Sequence, residues 1–173
     1  MPRLTKDERE AFLAERKVVM RIGVVRPDGS PLVTPIWFIH RDGAIWFTPR
    51  ERSEWFACLR ADPRVSLCID EQPLPYRKVM VEGSAELVHD VGEDDRWRDL
   101  YRDIARRYVP EKDALAYVEN TIDERRGLFR VLLTDARVRS WRLPVGDEPG
   151  EGIWHARYYQ DPKVKFDTRT PDA

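Results

Sequence analysis

The sequence predicts a mainly β domain with added helices: six or so antiparallel strands, an N-terminal helix, and a helical pair before the last strand. Two observations lead there. Between Arg21 and Ser84, apolar, β-branched and aromatic runs alternate with turn residues. Asp28-Gly29 and Asp42-Gly43 each stand between two such runs, where glycine accepts the positive φ of a tight hairpin turn. On either side of this segment, charged stretches carry apolar residues at three- and four-residue steps, the period of an amphipathic helix.

The elements follow in order. Residues 1–17 hold the first helix: Thr5 and Glu8 have capping-box spacing, ahead of an amphipathic run through Phe12, Leu13 and Arg16. Residues 18–90 hold the strands, beginning with a meander over 20–25, 31–40 and 44–48. A short helix over 53–61 stops at Asp62-Pro63, because proline disfavours helical geometry in the residue before it. Strands over 64–70 and 76–88 come next, the second a long one. The insert 91–126 places Trp97, Leu100, Tyr101, Ile104, Ala105 and Tyr108 on one helical face, breaks at Val109-Pro110, and resumes with Ala114, Leu115, Tyr117, Val118 and Ile122. Its aromatic stripe reads as core. Residues 127–143 form the closing strand, with Leu128, Phe129, Val131, Leu133, Val138 and Trp141 broken by Thr134-Asp135. The tail 144–173 is polar and turn-rich apart from an aromatic cluster at 153–159, expected to lie along its own fold or a partner's; disorder is expected from about residue 167.

Bulk properties exclude several classes of function. A chain of 173 residues suits one domain, so the whole of 1–173 is read as a single unit. With 30 basic and 31 acidic side chains the net charge is −1, so no whole-chain field favours nucleic acid or an anionic membrane. Any anion site must be local. No run approaches the ~20 apolar residues of a membrane span, and the charged N-terminus lacks a signal-peptide core, so a cytoplasmic protein is expected. Cys58 and Cys68 lack metal-ligand spacing and read as buried apolar fillers. His40, His89 and His155 are too scattered for a metal site, and Glu82 and Glu86 read as the solvated face of one strand. No glycine-rich phosphate loop, catalytic triad or zinc motif is present.

The segment with chemical potential is Thr48-Pro49-Arg50-Glu51-Arg52-Ser53. A strand ends there and a helix begins, so free amides, the helix dipole and guanidinium groups can converge on a phosphate. The competing reading is a solvated loop in which Arg50 or Arg52 pairs with Glu51 or Glu54.

Five motifs narrow the choice: Asp28-Gly29-Ser30-Pro31, Pro35-Ile36-Trp37-Phe38, Arg50-Glu51-Arg52-Ser53, the run from Asp62-Pro63-Arg64 to Cys68-Ile69-Asp70, and the run from Pro75-Tyr76-Arg77 to Val81-Glu82-Gly83. In this order, across residues 5–143, the chain resembles the split-barrel flavin and deazaflavin oxidoreductases, the superfamily that includes pyridoxamine-phosphate oxidase. The resemblance implies an FMN-binding split β-barrel and a homodimer whose partner chain covers the pocket. It also implies an unknown small-molecule substrate, and neither nucleic acid nor a membrane as partner. FMN is the implied cofactor, with the deazaflavin coenzyme as alternative; a non-enzymatic relative would hold heme or another small ligand in the same groove. By the same resemblance Arg52 and Ser53 hold the phosphate, with Thr48 and Arg50 as further candidates in the same turn, Thr34, Pro35, Ile36 and Trp37 lie against the ring, Lys78 is a second cation, and Trp141 reaches across the dimer. Many relatives read Ser-Thr-Gly-Arg-x-Ser-x-Lys through the phosphate turn. Here Pro49 replaces a hydroxyl residue, and Trp55 stands at the place of the lysine, either packed as core with Arg50 supplying the charge or filling cofactor space.

Overall fold

Antiparallel strands in two sheets frame the computed structural model, which describes residues 2–148; the aromatic cluster at 153–159 and the end of the tail lie outside the described residues. The first sheet has the order β2 (Pro31–Ile36), β1 (Met20–Val25), β5 (Arg64–Asp70), β6 (Lys78–Ser84), β9 (Arg137–Trp141). The second has the order β3 (Ile39–Arg41), β4 (Ala44–Phe47), β8 (Leu128–Leu132), β7 (Glu86–His89). Four helices complete it: α1 (Lys6–Ala14), α2 (Glu54–Ala61), α3 (Arg98–Arg106) and α4 (Glu111–Asn120).

Nine strands replace the six or so expected, because three predicted strands are each divided between the two sheets. The run 31–40 bends at Trp37-Phe38, so β2 and β3 belong to different sheets. The run 76–88 bends at Ala85, whose N–H still donates to Pro63 O at 2.8 Å and so extends the β5–β6 register by one residue before β7 turns into the second sheet. The run 127–143 bends between Leu133 and Ala136, where Gly83 admits the chain closely: a Cβ there would stand 3.0 Å from Ala136 Cβ. The third bend falls at the Thr134-Asp135 break expected from the sequence; the first two escape hydrophobic patterning because both arms of each strand send apolar residues into one core. Phe38 and Ala85, at the bends themselves, are buried.

That core lies between the sheets. Met20, Ile22 and Val24 alternate inward along β1 and meet Leu67, Ile69, Val79 and Val81 from β5 and β6. Ile45, Phe47, Phe129 and Val131 face them from the second sheet. Phe and Ile side chains with no exposure each contribute roughly 1.5–3 kcal/mol relative to an exposed position. At the N-terminus the capping box forms as expected: Glu8 N donates to Thr5 Oγ1, and Thr5 N donates to Glu8 Oε2. It starts a helix that buries Phe12 and Leu13.

The helical pair α3–α4 builds a second cluster from Trp97, Tyr101, Ala105, Ala114, Val118 and Leu128. Trp37 touches both clusters, so the β2–β3 bend is where the helical insert meets the sheets. Of the cysteines, Cys58 is buried as expected, whereas Cys68 is half-buried beside Met80 in the β5–β6 ladder. Glu82 and Glu86 do not share one strand face: they fall in different sheets, Glu82 pairing with Arg139 and Glu86 with Arg130.

Candidate functional site

The turn from Thr48 to Ser53 is held against the segment preceding β8. Gly127 N donates to Pro49 O at 3.2 Å and Glu51 N donates to Arg125 O at 2.9 Å, extending the β4–β8 pairing through the turn. Pro49 is tolerated because this ladder uses only its carbonyl. Gly127 is required by close approach, since a Cβ there would sit 2.8 Å from a ring carbon of Phe56 on α2.

The turn leaves the start of α2 open. Ser53, its N-cap residue, makes no capping bond; its hydroxyl instead donates to Arg50 O at 2.7 Å. The first-turn amides of Glu54 and Trp55 therefore lack the usual side-chain acceptor. Arg52 is exposed beside them and has no hydrogen-bond or ion-pair partner among the described residues. The solvated-loop pairing does not form: Glu54 takes Arg26 at 2.6 Å, Glu51 lies 3.8 Å from Arg125, and Arg50 pairs with Glu124.

Behind the turn stands a residue that the motifs did not single out. Arg126 is 5% exposed, lies 4.6 Å above the Tyr101 ring, and donates from Nη1 to Thr48 O at 3.3 Å. Its Nε and Nη2, the two donors of one side-on fork, have no hydrogen-bond partner among the described residues, and neither does the buried Thr48 Oγ1. That fork matches an oxyanion. Glu124 lies 3.8 Å from Nη2 while holding Arg50, so these two guanidinium groups share one carboxylate; Asp94 accepts from the Arg126 backbone N–H at 3.1 Å. Burial pushes the Tyr101 phenol up to about 12, so it stays neutral here. The only sequence signal for Arg126 is an arginine set directly against an apolar strand.

The strand expected to border a ring is β2, an edge strand with two distinct faces. Thr34 and Ile36 turn toward the core opposite Ile22 and Met20, while Pro35, and Val33 at 65% exposure, face outward from the edge strand. Trp37 is half-buried, stacked on Tyr108 and 5.3 Å from Tyr117. Trp55 is partly buried and packs against the core beside Phe47, at 6.0 Å between ring centroids, so an indole with structural contacts stands at the lysine position. Arg50 is committed to Glu124 and lies 3.5 Å from Tyr117 Oη, which limits how far it replaces that lysine.

Lys78 and Trp141 meet each other, paired across β6 and β9 with the ammonium 5.6 Å from the indole ring. They do not meet the turn. Lys78 lies opposite Asp70, at the Met20 end of β1, whereas the start of α2 lies at the Val25 end through the Arg26–Glu54 pair. At ~3.3 Å per residue the two ends are about 20 Å apart along the strands.

Donors without partners are thus present on and behind the turn: the open helix start, Arg52, the Arg126 fork and the Thr48 hydroxyl, the last two buried. Among the described residues no group of three or more His, Cys, Asp and Glu side chains could hold a metal ion, and no helix is long and apolar enough to cross a membrane.

A family profile described as pyridoxamine 5'-phosphate oxidase matches residues 5–138. The chain belongs to this family. Among solved structures it is similar to the conserved hypothetical protein Rv2991 of Mycobacterium tuberculosis, at 26% identity and TM-score 0.67, covering 85% of this chain and 93% of that one. It is also similar to an F420 reductase, at 25% identity and TM-score 0.51, covering 75% of this chain and 90% of that one. An FAD-binding protein of Mesorhizobium loti, at 20% identity and TM-score 0.58, covers 81% and 97% and shares the fold. No curated protein matches the chain at significant sequence similarity.

Proposed function

We propose that the chain is an FMN-dependent oxidoreductase that acts as a homodimer on a small molecule. The observation that carries this reading is the convergence of Arg52, the uncapped start of α2, the unpartnered fork of Arg126 and the Thr48 hydroxyl on one turn. When bound, the isoalloxazine ring supplies the hydride or electron transfer. The side chains have the remaining tasks. Arg52 and the amides of Glu54 and Trp55 hold the phosphate, and the Arg126 fork fixes its second edge. The β2 edge and Trp37 set the orientation of the ring and exclude water from one side. This division accounts for the absence of an acid–base pair among the motifs.

The homodimer is supported by the spacing of the remaining candidates. Lys78 and Trp141 are too far from the turn to serve the same pocket within one chain, so they would reach it from the partner. The outward-facing Val33 and Pro35 supply an apolar edge for that contact. Light scattering at micromolar concentration should give twice the mass of one chain; a stable monomer would remove the shared pocket.

A second reading, the deazaflavin coenzyme in the same place, is favoured by the likeness to an F420 reductase. Absorption spectra of the purified protein, followed by titration with FMN and with the deazaflavin coenzyme, separate the two. Saturable binding of FMN alone or more tightly supports the first reading. Preference for deazaflavin installs the second, and a heme spectrum with no flavin binding overturns both.

A further inference from the structure

A second cationic site stands apart from the turn, where α1 and β3 meet the end of α3. A cleft of about 280 Å³ is lined by Ala14, Arg16, Ile39, His40, Arg106 and Arg107, and no residue of the 48–53 turn borders it. Arg107 is 7% exposed with its guanidinium 4.5 Å from the Phe38 ring centre. That stacking satisfies the face of the group and leaves its edge. Nε and Nη2, again the two donors of one side-on fork, are buried with no hydrogen-bond partner among the described residues. His40 Nε2 is buried and unpartnered as well. Tyr108 and Glu15 offset part of the burial of this guanidinium, but the two buried donors of the fork keep no acceptor, which is costly, and a single oxyanion would meet both.

The surrounding charges leave this cleft positive. Arg106 is neutralised by Asp103 and Glu111, and Asp103 is shared with Arg41. Glu10 lies 3.4 Å from His40 Nδ1 and 3.7 Å from Arg9, and Glu15 pairs with Arg77. Arg107 and Arg16 have no carboxylate partner among the described residues; Arg16 donates only to the carbonyls of Arg106 and Val109, at 2.8 and 3.2 Å. The cleft is shallow and open to solvent, and its volume is below the ~300–1,000 Å³ of sites for drug-sized ligands, so what it offers is a place for a small group.

We propose that this cleft binds a small tetrahedral oxyanion, free phosphate or the phosphate end of a small metabolite, on the side-on fork of Arg107 with Arg16 and His40 beside it. It is independent of the cofactor reading, since it shares no residue with the turn. The test is titration of the purified protein with inorganic phosphate, and separately with glycerol 3-phosphate, following the ring signals of His40 by NMR. A saturable shift is expected, with the His40 pKa raised in the bound form. Arg107→Met should weaken binding roughly ten-fold or more, the scale of losing a bidentate charged contact, and Arg16→Met several-fold. Arg52→Ala should leave it unchanged. Tighter binding of glycerol 3-phosphate identifies the end of a metabolite as the occupant, and equal or weaker binding identifies the free ion. A shift that never saturates, affinity unchanged in Arg16→Met and in a folded Arg107→Met, or equal loss in Arg52→Ala would overturn the proposal. If Arg107→Met does not fold, Arg16→Met decides alone.

Discussion

Trp37 and Tyr108 lie face to face, with ring centroids 4.8 Å apart and planes within 4° of parallel. The contact joins the bend between β2 and β3 to the end of α3. The Tyr108 hydroxyl completes the join, accepting from Phe38 N at 3.1 Å and donating to Val18 O at 2.9 Å. The helical insert thus sets the conformation of the strand that would border a cofactor ring. Tyr108 is buried, and its phenol is raised above its ordinary value by that burial, so it acts as a neutral hydrogen-bonding group.

Tyr108→Phe should therefore destabilise the fold by about 1–3 kcal/mol, because it leaves the Phe38 amide buried without an acceptor. Chemical denaturation measures this directly. An unchanged midpoint would mean that the stacked ring alone holds the bend.

Two substitutions at the turn should move cofactor affinity in opposite directions. Arg52→Ala removes an exposed and unpaired cation, so FMN binding should weaken by about 1.5–3 kcal/mol, the scale of a charged hydrogen bond, while the cofactor-free melting temperature stays nearly constant. Glu124→Gln removes the carboxylate shared by Arg50 and Arg126, so affinity should rise. Fluorescence titration reads both. If Arg52→Ala binds FMN as the parent does, the turn is not the phosphate site.

Trp55→Lys restores the residue that many relatives carry, yet the indole here packs on Phe47 and against the main core. A loss of about 1–2 kcal/mol of stability is expected from the apolar area given up. FMN affinity should change little. A large gain in affinity from this variant would show that the indole occupies cofactor space.

His40 provides a test by pH. Burial lowers its imidazole below the ordinary value, with Glu10 opposing and Arg9 and Arg107 reinforcing the shift. Its folded pKa lies below the unfolded value of about 6.5, so its contribution to stability is intact above that pH and declines as pH falls through the folded pKa. In phosphate-free buffer, His40→Gln should lose part of this acid-side decline. Identical pH profiles for parent and variant would place the imidazole in solvent.

Much of the site was legible because it rests on local signals. The capping box at Thr5 and Glu8, the Asp-Gly hairpins, and the arginine-rich turn before α2 each lie within a few residues of sequence and form as local sterics and hydrogen bonding require. Arg126 was not legible. Its significance comes from Thr48, Tyr101 and Glu124, which the fold brings to it from β4, α3 and the segment before β8. The same holds for Arg107, which reads as one more charge at a helix end until Phe38 and His40 are packed around it.

The mainly β class, the order of elements, the family resemblance and the amphipathic faces follow from the amino-acid order alone, because turn residues and apolar periodicity act over short range. Long-range packing set the rest: which sheet each arm of a bent strand joins, the distance of Lys78 and Trp141 from the turn, and the contact of a partly buried Trp55 with Phe47. The physical reason is that strand pairing and burial are fixed by contacts between residues distant in sequence. Periodicity records which residues turn inward, but it does not record which sheet receives them, or which charges are left facing one another once the two sheets have closed over the core.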